Sequence, residues 1–138
     1  MKVVILGCSR VGAVLASWLA ENKHEVSIID WEFNSFRRLP KELEIRQVLG
    51  MGADIDVLQK AGIAEADAFI AVTNSDNTNL MSSQLVKNRF NVKKVMARVY
   101  DPHRARAFQE IGLNIICPTI TAAEYLKEFL LKPEEKEE

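Results

Sequence analysis

The chain has only two cysteines and two histidines in 138 residues. Cys8 and Cys117 are too few and too far apart for a zinc site or a disulfide framework. They read as the reduced thiols of a cytosolic protein. Charge is nearly balanced: 18 basic and 19 acidic side chains leave a net charge of −1. That removes the basic face a nucleic-acid reader carries, so no nucleic-acid partner is expected. No apolar run approaches the roughly 20 residues a membrane-spanning helix needs. The N-terminus enters a strand after a single lysine, unlike a signal peptide. No Ser/His/Asp set or metal-ligand cluster is legible, and no linker or repeat interrupts the chain before its acidic end. The expectation is a soluble, cytoplasmic domain without a structural metal.

What is present begins at once. Val3-Val4-Ile5-Leu6 is an apolar run ending in Gly7-Cys8-Ser9-Arg10-Val11-Gly12. A helical pattern follows from Ala13 to Asn22, then a second apolar run, Val26-Ser27-Ile28-Ile29, capped by Asp30. Strand, glycine turn, helix, and strand with a terminal acid together make a nucleotide-binding βαβ unit.

The same alternation continues. Trp31 to Leu39 reads as a short helix stopping at Pro40. Glu44 to Leu49 reads as a third strand entering Gly50-Met51-Gly52. Asp54 is placed to cap a helix carrying Val57, Leu58 and Ala61, with Gly62 at its C′ position. Asp67 to Val72 is a short, continuously apolar strand, followed by the polar turn Thr73–Asn77 and a helix from about Thr78 to Asn88. Val95 to Val99 is the fifth strand; Asp101-Pro102 opens a helix that Gly112 ends. Asn114 to Cys117 is the sixth strand, and Thr121-Ala122-Ala123-Glu124 reads as a capping box for a last helix reaching Leu131. Residues 132–138 read as a disordered acidic tail. Six apolar strands separated by helices predict an α/β fold over residues 1–131. It is a three-layer, doubly wound Rossmann fold whose six-stranded parallel sheet, buried on both faces, has the order 3-2-1-4-5-6.

In such a sheet the ligand crevice lies beyond the carboxyl ends of strands one and four. Gly7 supplies the tight turn, Gly12 lets the helix pack close to the sheet, and the free amides of the helix start attract phosphate. Asp30 is placed to accept hydrogen bonds from ribose hydroxyls, and its charge disfavours a 2′-phosphate, which argues against NADP. Ser9 stands where a second glycine normally meets pyrophosphate; its Cβ crowds a dinucleotide while its hydroxyl is a phosphate partner. Arg10 is either a cation for terminal phosphates or a partner's carboxylate, or a solvated surface arginine. Trp31 either lies against adenine or packs on a neighbouring helix. Asn74 and Asn79 either meet ribose or phosphate or form the turn. Cys8 lies in the loop without an activating neighbour in sequence. His24, His103, Arg104 and Arg106 read as exposed.

These details together resemble the TrkA-N domains, also called RCK or KTN domains, which regulate potassium channels and transporters from the cytoplasm. The resemblance rests on the Gly7–Gly12 loop, Ile29-Asp30, Gly50-Met51-Gly52-Ala53-Asp54, Val57-Leu58 and Ala61-Gly62-Ile63. It continues through Ala66-Asp67-Ala68, Ala71-Val72-Thr73-Asn74, Asp76, Asn79-Leu80, Ala97 to Pro102, Gly112 and Pro118-Thr119. It implies bound NAD(H) or an adenine nucleotide (ATP, ADP or AMP) and a part in gating potassium flux. By motif position it places Gly7, Ser9, Arg10 and Gly12 at the phosphates, Asp30 at the ribose, Met51 and Gly52 by the adenine, and Asn74 and Arg98 near the site. Cys8, Val11, Trp31, Ala53, Thr73, Ser75 and Asn79, beside them in the chain or in the turn after the fourth strand, are counted with them as candidate cofactor-binding residues. Two departures matter: Met51 stands where relatives usually carry Asp or Asn, and the smaller C-terminal lobe that often follows is absent.

Tyr125, Leu126, Phe129 and Leu130 form an apolar stripe on the last helix. In the resembled family such helices exchange between subunits, which implies a homodimer or larger ring. The expected function is a non-enzymatic, nucleotide-sensing regulatory subunit on a membrane potassium transporter or channel, peripheral to the inner face of the membrane. Two other readings stand beside it: a small NAD-dependent oxidoreductase, and a nucleotide-sensing module for a non-transport partner.

Overall fold

The computed structural model describes residues 1–135. Strand β1 (Lys2–Leu6) leads into helix α1 (Arg10–Glu21) and strand β2 (Glu25–Asp30). Strand β3 (Arg46–Leu49), helix α2 (Ile55–Lys60) and strand β4 (Ala68–Ala71) follow. Helix α3 (Asp76–Arg89), β5 (Lys94–Arg98), α4 (Pro102–Glu110), β6 (Asn114–Ile116) and α5 (Pro118–Leu131) complete the chain. All six strands form one parallel sheet in the expected order β3-β2-β1-β4-β5-β6.

β1 lies at the centre and sends alternate residues to opposite faces. Val3 and Ile5 pack with Ala13, Ala16 and Leu19 of α1 and with Phe36. Val4 and Leu6 pack with Leu58 of α2 and with Leu80 and Val86 of α3. The expectation of burial on both faces holds for β1 and largely for β2, and fails at the edge strand β3, where only Val48 is buried, and along β5 and β6. Along β5 and β6 the buried apolar residues alternate, Val95, Ala97 and Ile115 facing α3 and α4, and Arg98 is buried beside them at the carboxyl end of β5. On the opposite face Met96 and Ile116 are exposed and Ile70 is half-buried.

Local chemistry sets the boundaries. Ser9 and Ser75 are N-caps, accepting from the Gly12 and Thr78 amides, so α1 and α3 begin earlier than the apolar pattern suggests. Asp54 and Asp101 cap α2 and α4 as expected. Gly62 and Gly112 take φ of +84° and +94°, the left-handed geometry that ends a helix. The segment after β2 forms a 3-10 turn, Phe33–Arg38, rather than an α-helix. The capping box at Thr121 does not form: Pro118 starts α5 behind Cys117, and the Thr121 amide already donates to the Cys117 carbonyl. α5 has no buried residue. Of the acidic tail, 136–138 lie outside the described residues.

Candidate functional site

A cavity of about 870 Å³ opens at the carboxyl ends of the strands, between β1 and β4, where the strand order reverses. It is within the size range of small-molecule sites. Gly7, Cys8, Ser9, Arg10, Val11, Asp30, Trp31, Met51, Gly52, Thr73, Asn74, Ser75 and Arg98 line it. Of the residues singled out in the sequence, Gly12, Ala53 and Asn79 do not.

Gly7 has φ +105°, and a Cβ there would come within 2.8 Å of the Thr73 amide nitrogen, so the two turns at the cleft floor touch through backbone. A Cβ on Gly12 would collide with the Gly7 carbonyl, so this glycine sets the approach of α1 to the loop from below. Ser9 sits at φ −74°, ordinary backbone that needs no glycine. Its hydroxyl oxygen accepts from the Gly12 amide at 3.2 Å, which occupies it as a cap. Among the described residues the Arg10 and Val11 amides have no hydrogen-bond partner and stay open at the helix start, where the helix dipole favours an anion.

Asp30 organises this wall. One carboxylate oxygen accepts from the Cys8 amide at 2.9 Å and the other from the Glu32 amide at 2.8 Å. Each oxygen keeps a lone pair that ribose hydroxyls can use. The Cys8 carbonyl accepts from Arg38 at 3.1 Å, and the Cys8 thiol donates to the Ser35 carbonyl. Burial, reinforced by the Asp30 charge and only partly opposed by Arg38, pushes the Cys8 thiol up to about 11. At neutral pH it is a protonated packing group, not a nucleophile.

The opposite wall is knitted shut. Asn79 is fully buried; its Oδ1 accepts from the Thr73 amide and hydroxyl, and its Nδ2 donates to the carbonyls of Thr73 and Arg98. With two bonds on each amide atom, Asn79 has nothing left for a ligand and acts as the anchor of the turn. Arg98, 5% exposed, donates from Nη2 to the Val72 and Thr73 carbonyls and lies 4.8 Å over the Tyr100 ring. Among the described residues no carboxylate pairs with it, and its Nε has no partner.

Sequence reasoning missed Glu32, Ser35, Arg38, Thr78 and Tyr100, all of which line the cleft. Tyr100 was within reach, because it follows the carboxyl end of β5, where such crevices lie. Arg38 was not: only the 3-10 turn swings it back to the glycine loop. With it, three arginines (Arg10, Arg38, Arg98) face two carboxylates (Asp30, Glu32), so the cleft lining is net positive in a chain of net charge −1. This arrangement suits a ligand with phosphates and a ribose.

The model of the TrkA-N domain family matches residues 3–118. The Trk system potassium uptake protein TrkA of Streptomyces coelicolor is 41% identical over 132 residues, 96% of this chain and 57% of that protein. The chain thus spans little more than half the length of this relative. In structure it is similar to a Shewanella denitrificans Kef CTD in AMP-bound form, with TM-score 0.76 and 22% identity over 97% of this chain and 84% of that one. It is also similar to the GsuK channel bound to NAD, with TM-score 0.69 and 20% identity over 85% of this chain and 21% of that one. At such identities these two likenesses speak for the fold alone.

Proposed function

The chain belongs to the TrkA-N domain family, and from that premise we propose that it is a nucleotide-sensing regulatory subunit of a membrane potassium transporter or channel. One observation carries the reading: the open amides of Arg10 and Val11 stand in one cleft with the anchored Asp30 carboxylate and three arginines. Phosphates lie at the start of α1, the ribose hydroxyls at Asp30, and the base beyond it toward Trp31 and Met51. The ligand is NAD(H) or an adenine nucleotide (ATP, ADP or AMP); the Kef and GsuK structures hold AMP and NAD in a fold of this kind.

The chain senses rather than transforms its ligand. The one thiol in the cleft is held protonated, and its six strand–helix units all go to the nucleotide fold. A nucleotide that binds one arrangement of subunits better than another shifts the population by that difference in affinity.

A second copy completes the molecule. Phe129 and Leu130 on α5 are 67% and 77% exposed, and on the sheet face Met96 and Ile116 are exposed and Ile70 half-buried among the described residues. Exchange of α5 between two copies covers both surfaces at once in a twofold arrangement. The assembly then docks at the inner face of the membrane. Phe129→Asp should turn a dimer into a monomer in sedimentation equilibrium while the far-UV spectrum stays unchanged. A wild-type chain that is monomeric at about 100 µM, roughly a hundredfold above a micromolar dissociation constant, sinks this part.

Thermal shift with ATP, ADP, AMP, NAD, NADH and NADPH tests the core of the reading. A ligand at about 100 times its dissociation constant adds roughly 2.7 kcal/mol of stability. No shift with any of them rejects nucleotide sensing, and NADH turnover on a carbonyl substrate replaces it with an oxidoreductase.

A further inference from the structure

The cleft contains unequal means of reading the parts of a nucleotide. The sugar position has a fixed carboxylate: both Asp30 oxygens are pinned by backbone amides, so the group cannot rotate away. The phosphate position has a helix start and arginines. Beyond Asp30, where β2 and β3 end, the lining changes character. The two large side chains there are Trp31 and Met51, 65% and 59% exposed, an indole face and a thioether that offer surface and no fixed polar edge. The remaining lining is Gly50, Gly52, Ser35 and Glu32.

Telling one purine from another requires groups fixed against the base edge: a donor for adenine N1 paired with an acceptor for its amino group, or the reverse pattern for guanine. Glu32 is an exposed carboxylate that can accept from the adenine amino group or from guanine N1–H and N2–H, and, being solvated and unheld, it is fixed against neither edge. A backbone amide in the Gly50–Gly52 turn donates equally to adenine N1 or to guanine O6. The Gly50 amide itself is already bonded to the Asp30 carbonyl, and the Met51 carbonyl accepts from Asp54. Stacking on an indole is indifferent to base identity, because every base has a π-face.

We infer that this cleft selects the ribose and phosphates of its ligand and not the purine, so that guanine and hypoxanthine nucleotides occupy it about as tightly as adenine nucleotides. The inference rests on the nucleotide reading above and names its breadth. Trp31 and Met51 are the residues that set it: they grip the base by its faces and leave its edge unread.

Isothermal titration of the full chain with ADP, GDP and IDP tests this directly. Dissociation constants within about tenfold of one another, the span one good hydrogen-bonded edge contact would exceed, support it. A preference for ADP above that factor overturns it and leaves nucleotide binding intact. No heat with any of the three rejects nucleotide binding itself. Trp31→Ala and Met51→Ala remove exposed side chains, so neither takes anything from the core. Each should weaken ADP and GDP by the same factor, for Trp31→Ala about tenfold or more. A variant that weakens ADP and spares GDP, or changes neither, overturns the assignment.

Discussion

The two walls of the cleft start from one pattern. β1 runs through a short turn to the N-cap Ser9 and then α1; β4 runs through a short turn to the N-cap Ser75 and then α3. In both, the serine hydroxyl accepts from the amide three residues on, and its carbonyl accepts from the amide four residues on. That fourth residue is Ala13 in the first turn and Asn79 in the second. Ala13 has no polar group to offer, and the Gly7 amide of its turn bonds across to the Ile29 carbonyl instead. Asn79 folds back and holds both Thr73 and Arg98. Among the described residues the first two amides of each helix, Arg10 and Val11 or Asp76 and Asn77, stay without a hydrogen bond. The one-residue difference in matching positions makes the second turn a rigid buttress, while the first is held from across the sheet.

Breaking the buttress should have the largest effect. Asn79→Ala leaves the half-buried Thr73 amide without its acceptor and removes the Nδ2 donor from the Thr73 and Arg98 carbonyls, of which Thr73 keeps its bond from Arg98, at a cost of roughly 3 kcal/mol of stability. Urea denaturation measures it, and a loss below about 1 kcal/mol means the network is not what holds this wall. On the open wall the larger effect is on ligand. Asp30→Ala removes charged acceptors from the ribose and should cost about 2 kcal/mol of binding, close to thirtyfold, for every ribose-bearing nucleotide in a calorimetric titration. A loss under threefold would separate Asp30 from the sugar. The smallest effect belongs to Arg10, an exposed cation at the helix start. Arg10→Ala should weaken ATP by about 1 kcal/mol and leave AMP nearly unchanged. Equal losses for the two would take it away from the terminal phosphates.

How legible this was in the sequence follows the range of the interactions. Asp54, Asp101, Gly62 and Gly112 were readable because caps and left-handed turns are decided within four residues. The sheet order was readable because strand–helix alternation and right-handed crossovers leave one arrangement. Asn79 was placed near the ligand, yet whether its amide faces outward or back depends on Thr73 and Arg98, six and nineteen positions away. Arg38 escaped notice for the same reason. The start of α5 was misjudged because two local signals competed, and proline at the first helical position prevailed over the Thr121 capping box. The strand pattern also misled: β5 and β6 looked apolar throughout, while their periodicity, Met96 and Ile116 against Val95, Ala97 and Ile115, marks one covered face.

The contact between Gly7 and Thr73 at the cleft floor has a mechanical consequence. The backbones of the two turns stand so close that not even a methyl group fits between them. A glycine loop displaced toward the second turn has less than a methyl's clearance before it meets Thr73, and Asn79 bolts that residue to α3. The shortest mechanical route from the first turn to α3 therefore runs through backbone packing and one buried amide side chain.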